Sequence, residues 1–327
     1  MATRRLPSTV YDDSLSDFLT ALVFTARQDD GRIELDFQDV QFYVPAALAS
    51  LLATVHGWTR ASRPVVFLNV ETCPAFAYLQ RMDFFRLSGV ELPEFFVRHP
   101  SSGRFVPLCR VDAQTQSGVQ EVCTALARCV FAELAESDDP ETAGPFDMVE
   151  YATSELINNV IQHARGPGYV AAQVYPRSGL VRLAVADCGI GIRQSFAEYD
   201  PPFWDPAMSH LDAVRTALQP KASSKTHLPS AWGASVNAGV GLSMLKEIAK
   251  HADGMFTLLS GTGFYQHNHA ERRRLPTELN LLESYAGTVC SLQLSKQRLG
   301  NLQEILQSSK IGLGLLKPDH RFDDLFQ

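Results

Sequence analysis

The sequence predicts an α/β protein of two units that meet near residue 110. Three observations carry that prediction. Strand-like apolar or alternating runs recur between runs with helical spacing over the first 295 residues. The chain has 327 residues, more than one average domain and comfortable for two. Hydrophobic residues make up 45% and charged residues 20%, the composition of a chain that can bury real cores.

In the first unit, RIELDF (32–37) alternates as a strand does. PAALASLLATVHGWTR (45–60) opens on a proline and continues at helical spacing, so it predicts a helix with Pro45 in its first turn. PVVFLNV (64–70) is a continuous apolar run suited to a buried strand. AFAYLQRMDFFRL (75–87) is helical again. EFFVRH and RFVPLCRV flank PSSG, which predicts a hairpin turning at Gly103.

The second unit begins with an amphipathic helix in 115–137. The acidic loop ESDDPETAGP leads into FDMVEYATSELINNVIQHA, a further helix. Strands follow at YVAAQVYP and LVRLAVADCG, joined by a turn at RSG. Residues 193–238, rich in Ser, Ala and Pro, are expected to be only partly helical. A helix at 241–251, strands at MFTLLSG and GTVCSLQLS, and a tail complete the chain.

Bulk properties remove several function classes. A net charge of −7 and a pI of about 5.7 leave no large basic footprint for nucleic acid. The run Arg272–Arg274 is expected on a solvated loop. No stretch nears ~18 uninterrupted apolar residues, so no membrane span is expected. The opening MATRRLPSTVYDDS has no apolar segment, so no secretory signal is expected. Cys73, Cys109, Cys123, Cys129, Cys188 and Cys290 form no Cys-x-x-Cys pair, which argues against a zinc ribbon or a disulfide scaffold and for a cytoplasmic home.

Three pieces of the second unit carry chemistry. Glu155, Asn159 and His163 follow one another at four-residue intervals, so a helix would stack them near one face. In ADCGIGI, Asp187 ends an apolar strand and precedes Gly189 and Gly191. In NAGVGLSML, Gly239 and Gly241 open a helix. Each alone has an ordinary explanation: solvent-facing helix residues, a tight turn, a glycine-led helix. The first glycine pair lacks the third glycine of a dinucleotide fingerprint, with Gln194 in its place, and the chain has no Gly-x-x-x-x-Gly-Lys-[Ser/Thr] loop.

In this order and spacing, residues 115–295 resemble the GHKL ATPase superfamily. ELINNVIQH is similar to its N box, DCGIG to its G1 box and GVGL to its G2 box. The nearest flavour is that of anti-sigma-factor kinases and stand-alone bacterial ATP-binding domains. The resemblance implies a Bergerat-type two-layer α/β sandwich with an ATP lid at about 193–238, and ATP and Mg²⁺ as cofactors. Asn159 would ligate Mg²⁺ through its amide oxygen, a hard ligand for a hard ion. Glu155 would orient or deprotonate the attacking water or hydroxyl. Asp187 would accept from the exocyclic amine of adenine, while Gly189 and Gly191 let backbone approach the base. Gly239, Val240 and Gly241 would present N–H groups to phosphates at a helix start. Thr288 would line the adenine pocket, His163 belongs to the same motif with a less defined role, and Lys225 is either a phosphate contact or a solvated loop residue. Cys188 reads as a small buried side chain, and His267 and His269 as a solvated turn.

Residues 30–90 resemble a STAS domain, the fold of anti-sigma-factor antagonists, so 1–110 are expected to form a STAS-like regulatory or docking module. Antagonists carry a phosphorylated Ser or Thr before the first helix; here FYVPAAL has no hydroxyl but that of Tyr43. The tail, 296–327, carries Leu299, Leu302, Ile305 and Leu306 at helical spacing and is expected to pack on its own domain. The resemblances together imply an ATP-dependent switch with slow hydrolysis that controls a protein partner, such as a STAS-like or sigma-factor-type regulator. A serine/threonine kinase acting on a separate chain and a non-catalytic ATP sensor are the alternatives, and a second copy of the chain is an open partner.

Overall fold

The computed structural model describes residues 2–27, 31–98, 101, 103–114, 119–131, 140–223, 241–271, 274–299 and, in the tail, 304–305, 307–308 and 311. It is a mixed α/β structure built on two main sheets.

Strands β1 (Ala2–Arg5), β3 (Ile33–Asp36) and β5 (Val65–Leu68) form a parallel sheet in that order. The two-residue strands β2 (Thr9–Val10) and β4 (Phe42–Tyr43) pair beside it. Helices α1 (Leu15–Arg27) and α2 (Pro45–Arg60) are the crossovers that parallel pairing demands. Val44 is the extended N-cap of α2, and the fixed φ of Pro45 suits the first helical position. Tyr43, just before it, is fully buried, and its hydroxyl donates to the Pro7 carbonyl at 2.9 Å. Short helices α3 (Phe76–Arg81) and α4 (Phe84–Leu87) follow.

The larger sheet is antiparallel, in the order β6 (Phe105–Val111), β7 (Gly168–Tyr175), β8 (Leu180–Asp187), β10 (Thr277–Ser295) and β9 (Met255–Asn268). Here the expected hairpin does not form. Residues 91–98 stay outside any strand, and 105–111 pair instead with β7, Val111 opposite Gly168. The open edge of β7 offers a full ladder of backbone partners, whereas Arg98 in the expected partner strand turns to Asp83 and Glu94. A strand expected to close the N-terminal unit is thus the edge of the five-stranded sheet.

One face of this sheet is covered by α5 (Val119–Val130), α6 (Pro140–Asn159) and α9 (Gly241–His251), which bury Leu126, Leu156, Ile157, Leu245 and Ile248 against Val170, Leu183, Val185 and Leu292. The other face is covered too. Tyr169, Ala171, Ala184, Ala186 and Val289 share a core with Leu48, Leu51 and Leu52 of α2 and with Ile33 and Leu35 of the small sheet. Helix α2 lies against β7, β8 and β10, and α1 against β10. Helices thus pack on both faces of the sheet, α5, α6 and α9 on one and α1 and α2 of the N-terminal residues on the other. VAA (170–172) and LAVA (183–186) are apolar at consecutive positions because both faces are buried, and the alanines beneath α2 let it approach closely. All of residues 45–55 are buried, as a helix flanked by two sheets requires.

The stretch expected as a lid begins as packed structure. Helices α7 (Gly191–Tyr199) and α8 (His210–Ala217) enclose a small core of Phe196, Ala213 and Ala217 and rest on β9. Ser209 caps α8 reciprocally with Asp212. A Cβ at Gly261 or Gly263 would collide with His210, so these glycines of β9 make room for α8. Residues 224–240 lie outside the described residues. In the tail, Leu299 and Ile305 are buried in the core beneath α5 and α6, and the Lys296 ammonium donates to the Val130 carbonyl at 3.1 Å; Leu302 and Leu306 lie outside the described residues.

Candidate functional site

Helix α6 turns Met148, Val149, Ala152, Leu156 and Ile157 into the core, which leaves Glu155 and Asn159 half-buried on a flank. Its last turn, Val160–Ala164, widens to a π turn holding His163, which is also half-buried. Such turns are common at functional sites. Burial raises the Glu155 carboxyl above its usual range, and a hydrogen bond from Tyr151 partly offsets that. Glu155 faces the start of α9: a Cβ on Gly241 would collide with its carboxylate. The Asn159 side-chain nitrogen is buried with no hydrogen-bond partner.

At its other end the same helix meets the G1-like loop. The Ile190 N–H donates to the Ala164 carbonyl at 3.0 Å, which satisfies one of the open carbonyls of a helix end. Gly189 lies so close to Ala164 that any Cβ there would overlap its backbone. Its glycine is therefore required by helix-to-loop packing, a reason that the sequence expectation of space for a base did not contain.

Asp187 ends β8 at 4% exposure. Its carboxylate accepts the Gly189 N–H at 2.8 Å and the Thr288 N–H. Burial pushes this carboxyl up to about 7, against those two hydrogen bonds, which pull it down. Gly287, at φ +108°, leaves room for it, since a Cβ there would stand 2.6 Å from Oδ1. Gly191, at φ +73°, starts α7 against Ser260. The Ser260 hydroxyl accepts the Ile192 N–H at 2.8 Å, donates to the Gly287 carbonyl at 3.0 Å and lies 3.2 Å from the Thr288 hydroxyl. The Tyr285 hydroxyl donates to the Asp187 carbonyl at 3.1 Å.

The structure therefore brings Asp187, Gly189, Gly191 and Thr288 together, and separately sets Glu155 beside Gly241. Asn159 and His163 lie on the helix between these two groups. Lys225, Gly239 and Val240 lie outside the described residues. Ser260, Tyr285 and Gly287 complete the Asp187 cluster, and sequence reasoning missed all three. A signal for Gly287 and Thr288 existed in the string AGT, but nothing local marks Ser260 or Tyr285 as neighbours of a residue about 70 to 100 positions away.

Cys188 is half-buried with its thiol raised by burial, which makes it a poor nucleophile; all six cysteines are free. His267 and His269 do not form a simple solvated turn. Their rings stand 3.9 Å apart, the buried Nε2 of His269 has no partner, and burial holds that imidazole down at about 4. They line a polar cavity of about 580 Å³ with Lys246, Glu247 and Tyr265. Among the described residues, no cluster of three or more His, Cys, Asp or Glu could hold a metal ion, and no helix is long and apolar enough to cross a membrane. No protein-family model and no curated protein sequence matches the chain.

Proposed function

We propose that the chain binds Mg²⁺-ATP in the manner of a GHKL-type domain and acts as an ATP-dependent switch on a protein partner. One observation carries this reading. The helix that runs from Glu155 to Ala164 meets Gly241 at one end and Gly189 at the other. Three motifs spread over 87 residues (Glu155 to Gly241) thus converge along one helix. The separation of its ends, on the order of 13 Å, is about the reach of a nucleoside triphosphate.

In this reading the base lies at the Asp187 end and the phosphates at the Gly241 end. Asp187 is held by two backbone donors and buried among neutral groups, so it can accept from an exocyclic amine and would repel a carbonyl at that position. The start of α9 presents backbone N–H groups, the feature that suits an anion. Mg²⁺ would take the side-chain oxygen of Asn159, and the buried, unpartnered nitrogen of the same carboxamide would donate to a phosphate oxygen. When bound there, the ion would neutralise phosphate charge while taking its other ligands from water and phosphate oxygens. Glu155, whose carboxyl is raised by burial, would take a proton from water or a hydroxyl in this reading.

Calorimetric titration of the full chain with ATP and GTP, each with and without Mg²⁺, tests this. Mg²⁺-dependent binding of ATP in preference to GTP is expected. Equal binding of both nucleotides, or of neither, would overturn the assignment. Release of ADP, phosphate on a partner's hydroxyl, or neither would then separate a switch with turnover from a kinase and from a sensor.

A further inference from the structure

We infer that the C-terminal half of α2 is the rear wall of this site, with Thr54, through Tyr285, holding Asp187 in position. The inference rests on the nucleotide reading only for what Asp187 binds; the positioning itself rests on contacts in the structure.

Three contacts join α2 to the G1-like loop. Tyr285 is 3% exposed; its hydroxyl donates to the Asp187 carbonyl at 3.1 Å and lies within reach of the Thr54 side chain. The Thr54 hydroxyl has one proton, which goes either to the Ser50 carbonyl at 2.7 Å or to the Tyr285 oxygen. One turn on, Gly57 lies against Cys188: a Cβ on Gly57 would stand 3.4 Å from the Cys188 Cβ. Another turn on, Arg60 hydrogen-bonds the Cys188 thiol, and its Nη1 stands 3.0 Å from where a Cβ of Gly166 would be. Thr54, Gly57 and Arg60 are spaced by three residues, so one stripe of α2 runs from Tyr285 past Cys188 to Gly166, which precedes β7.

The consequence is positional. Asp187 receives both of its hydrogen bonds from backbone, and that backbone belongs to the loop and strand that this stripe supports. A displacement of the Asp187 carbonyl would change both donors at once, and a misplacement of a binding group by a fraction of an ångström is costly. Among the described residues, the titratable groups beside the carboxyl are Cys188 and Tyr285, both neutral near pH 7, so no charged neighbour sets its acidity in place of these donors. The N-terminal module is therefore part of the site and not a detachable attachment, and a load on its small sheet would be transmitted to Asp187 through α2.

The test uses the full chain with Thr54→Val, which keeps shape but removes the hydroxyl, Thr54→Ser, which restores it, and Tyr285→Phe. The first measurement is the titration midpoint of the Asp187 carboxyl by carbon NMR in the free protein. The second is ATP affinity with Mg²⁺. Thr54→Val and Tyr285→Phe are expected to move the midpoint and weaken ATP by roughly two- to tenfold, the worth of one hydrogen bond, with Thr54→Ser close to the parent. Should Thr54→Val not fold, Tyr285→Phe alone decides. An unmoved midpoint in the folded variants overturns the inference, whatever the nucleotide result. A parent that binds no ATP while the midpoint still moves overturns the nucleotide reading and leaves the positioning role standing.

Discussion

Replacement of Asp187 by Asn should change how the stability of the fold depends on pH. The carboxyl is buried at the end of β8 and raised from 3.8 to about 7. A carboxyl whose folded-state value lies above its unfolded one prefers to be protonated in the fold. Its contribution is therefore present in full below about pH 4 and lost as pH rises through 7. With those two values, linkage gives a loss of about 2.5 kcal/mol between pH 5 and pH 8. Asn at the same place can still accept the Gly189 N–H and does not titrate, so this component vanishes. Urea unfolding of parent and Asp187→Asn at pH 5, 6.5 and 8 provides the assay. The parent should lose about 2.5 kcal/mol more than the variant across that range. Parallel pH profiles would refute the argument, because they would mean that Asp187 is solvated or already paired. In the nucleotide reading, an ionised acceptor binds adenine best, so ATP affinity of the parent should fall about tenfold from pH 8 to pH 6, and the variant should bind ATP weakly by roughly 1–3 kcal/mol without that dependence.

Three further outcomes follow from the site. Glu155→Ala should abolish turnover and leave ATP binding largely intact, whereas Asn159→Ala should weaken Mg²⁺-dependent binding itself; equal loss of binding in both would make these residues structural. Gly189→Ala forces a Cβ into the Ala164 backbone and should cost about 3 kcal/mol or more, read as a lower urea midpoint; an unchanged midpoint would remove the tight helix-to-loop contact. His269, held neutral down to about 4, favours the fold above its ordinary value of 6.5 and loses that contribution as pH falls toward 4. Compared with His269→Gln, the parent should lose on the order of 1 kcal/mol across that window after solvent screening, and identical acid limbs of the two unfolding profiles would contradict the burial of Nε2.

Much of the architecture could be read locally. Pro45 at the first turn of α2 follows from the steric preference of proline, and α6 follows from apolar residues at three- and four-residue intervals. The strands at 168–175 and 180–187 and the turn between them also followed from pattern. Asp187 at a strand end before two glycines reads alone as a plain turn, and became a candidate only beside the Glu155–Asn159–His163 spacing and the Gly239–Gly241 helix start. The pairing of 105–111 was not readable, since two short apolar runs flanking a turn fit a hairpin as well as they fit an edge strand. The reason for Gly189 was equally hidden: the sequence shows that a side chain is absent, but not which atom fills its place.

By itself, then, the sequence determined α2, α6 and the strands at 168–175 and 180–187, the position of Asp187 at a strand end, and the four-residue spacing of Glu155 and Asn159, because each depends on a few neighbouring residues and one repeat. Tertiary structure alone decided that β6 joins the larger sheet, that Tyr285 and Ser260 stand at Asp187, and that α2 is buried between two sheets. These depend on which faces meet across about 60 to 240 positions, and such contacts are chosen by the burial of both faces at once, a condition that no single stretch of the chain can state.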